Sequence, residues 1–251
     1  MCLTKVHQMI KKTFSIITLA AITLFSQSTF ALFSKASAMD LDGYYITPKG
    51  GVSVSEKTGQ TNFTNASGNN RKLHSEDLGD GIIIGVSVGK YIKDNIRLEL
   101  EVLNRDDYKF DSKRTDDTTK TAKADISSTA LFINGFYEFQ PSSISNKSFI
   151  PYLGGGIGKS KNTMGKITRP NTTVDGKTIE EFAYKLSAGT LFSLKENLSL
   201  DVAYQYVNLG EFNSTLRAYN AEGTRQTDLN KMYNGGEIES NEIIIGLQYK
   251  F

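Results

Sequence analysis

The chain has 251 residues, with 29 basic and 27 acidic side chains, a formal net charge of +2 and a mean hydropathy of −0.31. Its single cysteine, Cys2, lies at the amino terminus, which excludes disulfide scaffolds and thiol catalysis in the rest of the chain. Only one histidine, His74, follows the amino-terminal segment, so a histidine-based zinc site is excluded as well.

The amino-terminal segment has the pattern of a secretory signal peptide. Lys5, Lys11 and Lys12 precede an apolar run over residues 14–25, and Ala36-Ser37-Ala38 forms a small-residue cleavage site. The run is shorter than the ~20 residues of a membrane-spanning helix, and Cys2 lies ahead of it, so neither a retained anchor nor a lipid anchor is predicted. We predict a signal peptide over residues 1–38 and one mature domain over residues 39–251.

Removal of this segment changes the charge of the protein. Residues 1–38 contain four lysines and no acidic residue, so the net charge falls from +2 to −2. The apparent basicity therefore belongs to the export segment, and no nucleic-acid partner is predicted.

Eight stretches of the mature chain alternate apolar and polar residues with the period of a β-strand. In chain order they are predicted at residues 43–55, 81–91, 96–104, 127–139, 150–158, 182–194, 198–207 and 242–251. The third has the clearest phase, because a slip of one residue would turn its charges toward lipid, at roughly 2–4 kcal/mol for a basic side chain. The last strand ends on Phe251, as is typical of outer-membrane barrels.

The connections between these strands alternate in length. Residues 92–95, 140–149 and 195–197 are short or moderate, whereas residues 56–80, 105–126, 159–181 and 208–241 are long and polar. This alternation predicts an all-β fold, an eight-stranded antiparallel transmembrane β-barrel with short periplasmic turns and four long extracellular loops.

The residues of opposite phase should line the lumen. Eight strands enclose a space that side chains just fill, so charges inside it are expected to pair across the axis rather than form a selectivity filter. The predicted lumen ion-pair network consists of Lys49, Arg97, Glu99, Glu101, Glu138, Lys185, Asp201, Glu242 and Lys250. We therefore expect poor conduction.

One predicted loop is strongly basic. Between residues 159 and 178, five basic residues face only Asp175, a local charge of +4. We predict partner binding, to an acidic protein segment or a sulfated glycan, at Lys159, Lys161, Lys166, Arg169 and Lys177. The alternative is a solvated loop whose lysines also touch lipopolysaccharide phosphates.

The strand motifs IKDNIRLELEV, ALFINGFYEF, FIPYLGGGIG and GLQYKF resemble the small eight-stranded outer-membrane barrels of the OmpA, OmpX, Ail and Opa kind. More narrowly, the chain is similar to the rickettsial surface adhesins called Adr. This resemblance implies a virulence-associated protein of a Gram-negative outer membrane, which we expect to be monomeric. It further implies binding of a host extracellular protein such as vitronectin, with a role in attachment and serum resistance.

Other functions remain open at this stage. A small channel would need separated lumen charges, and a purely structural envelope protein would need no binding surface. His74 lies beside Ser75, Glu76 and Asp77, but adjacent positions cannot fold into a nucleophile, base and orienting acid. No enzyme, cofactor or metal site is therefore predicted.

Overall fold

The structure is a computed structural model that describes residues 41–55, 61–64, 70–75, 78–114, 121–139, 149–169, 171–226 and 232–251. The predicted signal peptide, residues 1–38, lies outside these ranges. The strands are β1 Tyr44–Ser55, β2 Thr61–Thr64, β3 Asn70–Ser75, β4 Asp80–Lys93, β5 Ile96–Arg114, β6 Thr121–Glu138, β7 Phe149–Met164, β8 Ile167–Arg169, β9 Thr172–Gly176, β10 Thr178–Lys195, β11 Leu198–Asn220, β12 Arg225–Gln226 and β13 Met232–Lys250. Within the described ranges, no helix is long and apolar enough to cross a membrane.

Eight long strands form a closed antiparallel barrel, which confirms the predicted fold. The order around the ring is β1, β4, β5, β6, β7, β10, β11 and β13. Pairing of β13 with β1 closes the ring, with Val52 opposite Ile243. Two-residue turns join β4 to β5 and β10 to β11, whereas residues 140–148 lie outside the described ranges.

The half of the barrel next to these short turns is apolar outside, and inside it holds charged and polar side chains together with a smaller apolar cluster that includes Ile83, Leu103 and Leu191. We call this half the lower barrel, and define it by the part of each strand whose outward side chains are apolar. On β5, Leu98, Leu100 and Val102 are exposed, while Glu99 and Glu101 are buried. This is the arrangement expected for a wall that faces lipid, and it confirms the predicted phase of the third strand.

The four predicted long loops are wrong where the structure describes them. β5 continues ten residues past its predicted end at Asn104, β6 begins at Thr121, and β11 runs on to Asn220. The segments predicted as loops at 56–80 and 159–181 contain the short hairpins β2–β3 and β8–β9. Most of these polar stretches are therefore wall rather than loop.

The extended parts close a second ring, which we call the upper cylinder. It consists of β2, β3, β8, β9 and β12 with the ends of β5, β6, β11 and β13 that lie far from the short turns. The pairing runs from β3 to β5, β6, β8, β9, β11, β13 and β2, and back to β3. No lipid belt continues onto its described outer face, where Lys109, Lys123 and Asp125 are exposed.

The upper cylinder has a hydrophobic interior. Phe110 and Phe212 meet edge to face at its centre, with ring centroids 5.8 Å apart. The larger buried side chains of this core are Leu78, Tyr108, Phe110, Ile126, Phe132, Met164, Ile167, Val174, Val207, Leu209, Phe212 and Ile238. The upper cylinder is thus packed like a water-soluble β-protein, with apolar residues inside and polar residues outside.

Two irregularities shift the inward positions between the halves. On β5 the inward residues are odd-numbered up to Arg105 and even-numbered from Tyr108, across a break in register. On β11 the same change falls between Asn208 and Glu211, where Gly210 adopts a positive φ of 75°. A residue there with a Cβ would meet the Cβ of Glu181 at 2.5 Å, so glycine is required by both conformation and space.

Replacing Phe110 by alanine should weaken the upper cylinder, because a large buried ring is removed and a cavity remains. We expect the free energy of unfolding to fall by about 3–5 kcal/mol, as measured by urea titration of the refolded protein. The matched control is Lys109→Ala, the exposed neighbour on the same strand, which should change it by less than about 0.5 kcal/mol. Equal effects of the two substitutions would contradict a packed core.

Candidate functional site: the barrel lumen and the outer wall

A chain of buried ion pairs crosses the lumen of the lower barrel. Lys49 on β1 places its Nζ 2.6 Å from Glu99 Oε1 and 2.5 Å from Glu101 Oε2, both on β5. Lys185 on β10 reaches Glu101 from the opposite wall. Because β1, β5 and β10 come from different sides of the ring, these pairs bridge the axis.

Arg97 extends this chain toward the short turns. Its Nε lies 3.0 Å from Glu138 Oε1 and its Nη1 lies 3.4 Å from Glu99 Oε2. The guanidinium also lies 4.1 Å from the ring centroid of Phe136 and 4.5 Å from that of Tyr152. An arginine suits this position because its planar group can bind carboxylates and stack on rings together.

A second cluster lies where the lower barrel meets the upper cylinder. Arg105 on β5 binds Glu242 on β13 in two places, with Nε 2.6 Å from Oε1 and Nη2 2.9 Å from Oε2. Gln205 and Ser240 also donate hydrogen bonds to Glu242. This bidentate pair ties together two strands that are not neighbours in the sheet.

Arg105 was missed in the sequence analysis, because it fell at the start of a predicted loop. The signal that could have identified it is its spacing. It continues the inward series of Arg97, Glu99 and Glu101 after Leu103. With Arg105 included, the charges of the predicted network come to five basic against five acidic residues.

Of the nine predicted lumen residues, the structure joins six in one connected chain and pairs Glu242 with Arg105. The other two lie on the lumen side with different contacts. Asp201 accepts a hydrogen bond of 2.7 Å from the Tyr152 hydroxyl. Lys250, near the short turns, places its Nζ 4.2 Å from the ring centroid of Tyr91.

The lumen is therefore filled at two levels. Ion pairs span the lower barrel, and the hydrophobic core closes the upper cylinder above them. An ion that crossed the barrel in either direction would have to separate the buried pairs and also pass an apolar plug that offers it no hydrogen-bonding partners. The surface left for other molecules is the outer wall and its tips.

The five basic residues predicted as one flexible patch lie at different heights. Lys159 and Lys161 point outward on β7, so their placement in a loop was wrong. Lys166 and Lys177 lie at the bends that connect β7 to β8 and β9 to β10, at the base of the β8–β9 hairpin, and Arg169 ends β8 next to the hairpin turn. The structure thus divides the set into two residues on the wall of β7 and three on this hairpin, which we call the tip.

The sole acidic residue of this basic segment is hydrogen-bonded within the protein. Asp175 accepts a hydrogen bond of 3.2 Å from the Tyr219 hydroxyl.

The cluster around His74 is described only in part. His74 and Ser75 lie on β3, and the neighbouring Glu76 and Asp77 lie outside the described residues.

Comparison with known proteins gives the same kind of barrel. The family model for the outer membrane protein beta-barrel domain matches residues 17–251. The chain is similar to the outer membrane protein PagN of Salmonella typhimurium, with 24% identity over 86% of this chain and 93% of that protein. It is also similar to a Rickettsia conorii protein named as a candidate adhesin, with 23% identity over 65% of each.

Among solved structures, the chain is similar to Neisserial surface protein A, over 84% of this chain and 98% of that one, with a TM-score of 0.46 and 16% sequence identity.

Replacing Glu101 by glutamine should destabilise the lower barrel, because it leaves two buried lysines without their shared carboxylate. Removal of one partner of a buried pair costs about 3–5 kcal/mol. We therefore expect a lower unfolding temperature, measured by electrophoresis of samples heated to a series of temperatures, in which the folded and unfolded forms migrate differently. The matched control is Asp111→Asn, which removes the partner of the exposed Lys123 and should cost less than about 1 kcal/mol. A Glu101 variant as stable as this control would show that the lumen pairs are dispensable.

Proposed function

The chain belongs to the outer membrane protein β-barrel domain family, and from this premise we propose that it is a surface adhesin that binds a host extracellular protein. The family and the relatives place it in the bacterial outer membrane. Its short turns then face the periplasm and its upper cylinder faces the outside of the cell. The names of its relatives, one of them a candidate adhesin, support this role.

The observation that carries the proposal is the combination of a filled lumen with a rigid, charged tip. Lys166, Arg169 and Lys177 extend from a hairpin that pairs on both sides with neighbouring strands of the upper cylinder. A tip held by a packed core loses little conformational entropy on binding, which favours affinity. Its positive charge would attract an acidic segment of the partner and speed the encounter.

Vitronectin is the ligand that the family resemblance implies, and we propose it as the first one to test. Attachment to host cells and serum resistance would follow from capture of such a serum protein. We further propose that the barrel acts as a monomer and has no enzymatic activity.

Replacing the three basic tip residues by glutamine should weaken binding to vitronectin. In Lys166→Gln/Arg169→Gln/Lys177→Gln, each lost exposed pair is worth roughly 0.5 kcal/mol, so affinity for immobilised vitronectin should fall about 10-fold. The control Lys90→Gln/Lys93→Gln/Lys195→Gln removes the same charge at the periplasmic end and should bind like the unmodified protein. Binding should also weaken as salt rises.

Two outcomes would contradict the proposal. The tip variant could bind vitronectin as well as the control does, which would remove the tip from the site. Alternatively, the refolded protein could retain neither vitronectin nor any other component in a pull-down from serum, which would remove the adhesin function itself.

Conductance tests the alternative of a small channel. Because buried pairs and the hydrophobic core fill the lumen, we expect no defined current steps from the refolded protein in planar bilayers. The variant Phe110→Ala/Phe212→Ala, which empties the centre of the upper core, serves as the comparison. Regular steps from the unmodified protein would favour the channel over the adhesin.

A further inference from the structure

The two basic residues on the wall lie at the upper boundary of the lipid belt. Ile157 on β7 is 61% exposed, and the next outward residue on that strand is Lys159. In the neighbouring strands, Lys159 is opposite Leu131 of β6 and Phe182 of β10, both exposed apolar side chains. A basic residue that follows apolar ones along a strand, at the height of an exposed aromatic ring, is typical of a side chain that reaches lipid headgroups.

Lys161 stands one pleat higher on the same face, about 7 Å further along the strand. Its cross-strand neighbours are Thr129 on β6 and Glu180 on β10. Two lysines at this spacing on one face can direct their ammonium groups to the same phosphate or to two phosphates of one headgroup.

These lysines differ from the others on the same side of the barrel. Lys109 lies 2.9 Å from Asp125 and Lys123 lies 3.3 Å from Asp111, so both are neutralised across β5 and β6. In the part of the chain that the structure describes, neither Lys159 nor Lys161 has a carboxylate oxygen within 4.0 Å, although Glu180 is opposite Lys161. Their charge is therefore available to an anion from outside the protein.

The wall beyond β10 has the reverse character. There, on the strand next to β10, Asn208 of β11 donates hydrogen bonds of 2.9 and 3.0 Å to Glu237 and Glu239 on β13. Glu211 is the cross-strand neighbour of Glu237, which adds a third carboxylate. An anionic headgroup would be repelled from β11 and β13 and attracted to β7, so these carboxylates set the β10 edge of the site.

From this geometry we propose that the outer face of β6, β7 and β10 binds the phosphate groups of lipopolysaccharide in the outer leaflet. Lys159 and Lys161 hold the lipid A phosphates, while Leu131, Ile157 and Phe182 pack against the acyl chains below them. The apolar part of the site selects a lipid over a soluble phosphate, because only a lipid presents both groups at this spacing.

The test compares refolded Lys159→Gln/Lys161→Gln with Lys109→Gln/Lys123→Gln, which removes two outward lysines farther above the belt. Each is titrated with micelles that contain bisphosphorylated lipid A or the same lipid without phosphates. We expect lipid A to raise the unfolding temperature of the unmodified protein and of the Lys109/Lys123 variant. The Lys159/Lys161 variant should bind it roughly 10-fold more weakly, and Lys159→Arg/Lys161→Arg should restore binding.

Three results would overturn the proposal. They are unchanged lipid A binding by Lys159→Gln/Lys161→Gln, equal stabilisation by the lipid without phosphates, and equal stabilisation by inorganic polyphosphate, which would indicate a site for soluble anions. Circular dichroism establishes that each variant has refolded. Because Lys166, Arg169 and Lys177 are retained, the same variant should still bind vitronectin, so failure here and failure of the adhesin proposal are distinguishable.

Discussion

The architecture follows from one constraint, which is that the long strands β5, β6, β11 and β13 pass from lipid into water while their inner faces remain enclosed. In lipid, a basic residue on the outer face costs roughly 2–4 kcal/mol, so charges turn inward and must find partners. Where the wall faces water, burying apolar side chains inside stabilises the fold by about 25 cal/mol per Å² of apolar surface removed from solvent. The wall therefore has ion pairs inside its lower half and a hydrophobic core inside its upper half.

The junction between the halves must join two cylinders whose inward-facing positions differ. The inward phase of β5 changes just after Arg105, and that of β11 changes at Gly210. The Arg105–Glu242 pair lies at this level and links β5 to β13 across the lumen, with Ser53 and Tyr108 hydrogen-bonded beside it. A bidentate pair fixes distance and orientation together, so the two cylinders are held in one register. Both are filled, which confines contacts with other molecules to the outer surface.

Period-two alternation was sufficient to predict the lower barrel, because lipid enforces the strongest contrast between the two faces of a strand. Leu98, Leu100 and Val102 could be placed outside, and Arg97, Glu99 and Glu101 inside, from the sequence alone. The same method failed above the belt for two reasons. The polarity is inverted there, so the pattern around Lys109 and Asp125 is that of a polar loop. The irregularities near Asp106 and Gly210 also interrupt the period of two. Arg105 was lost from the predicted network for the same reason.

For the basic segment, spacing in the sequence could not predict how high each residue lies above the lipid belt. Lys159 and Lys166 are seven residues apart, which suggests one patch if the segment is a loop. On the strand of the barrel wall, the rise from Lys159 to the end of β7 at Met164 is already about 16 Å, and Lys166 lies in the bend beyond it. Lys177 is nearer, because the next residue, Thr178, is opposite Thr163, two residues past Lys161. The lower pair is therefore available to the membrane and the upper three residues to a partner beyond it, so one short basic segment can serve two kinds of ligand at two heights.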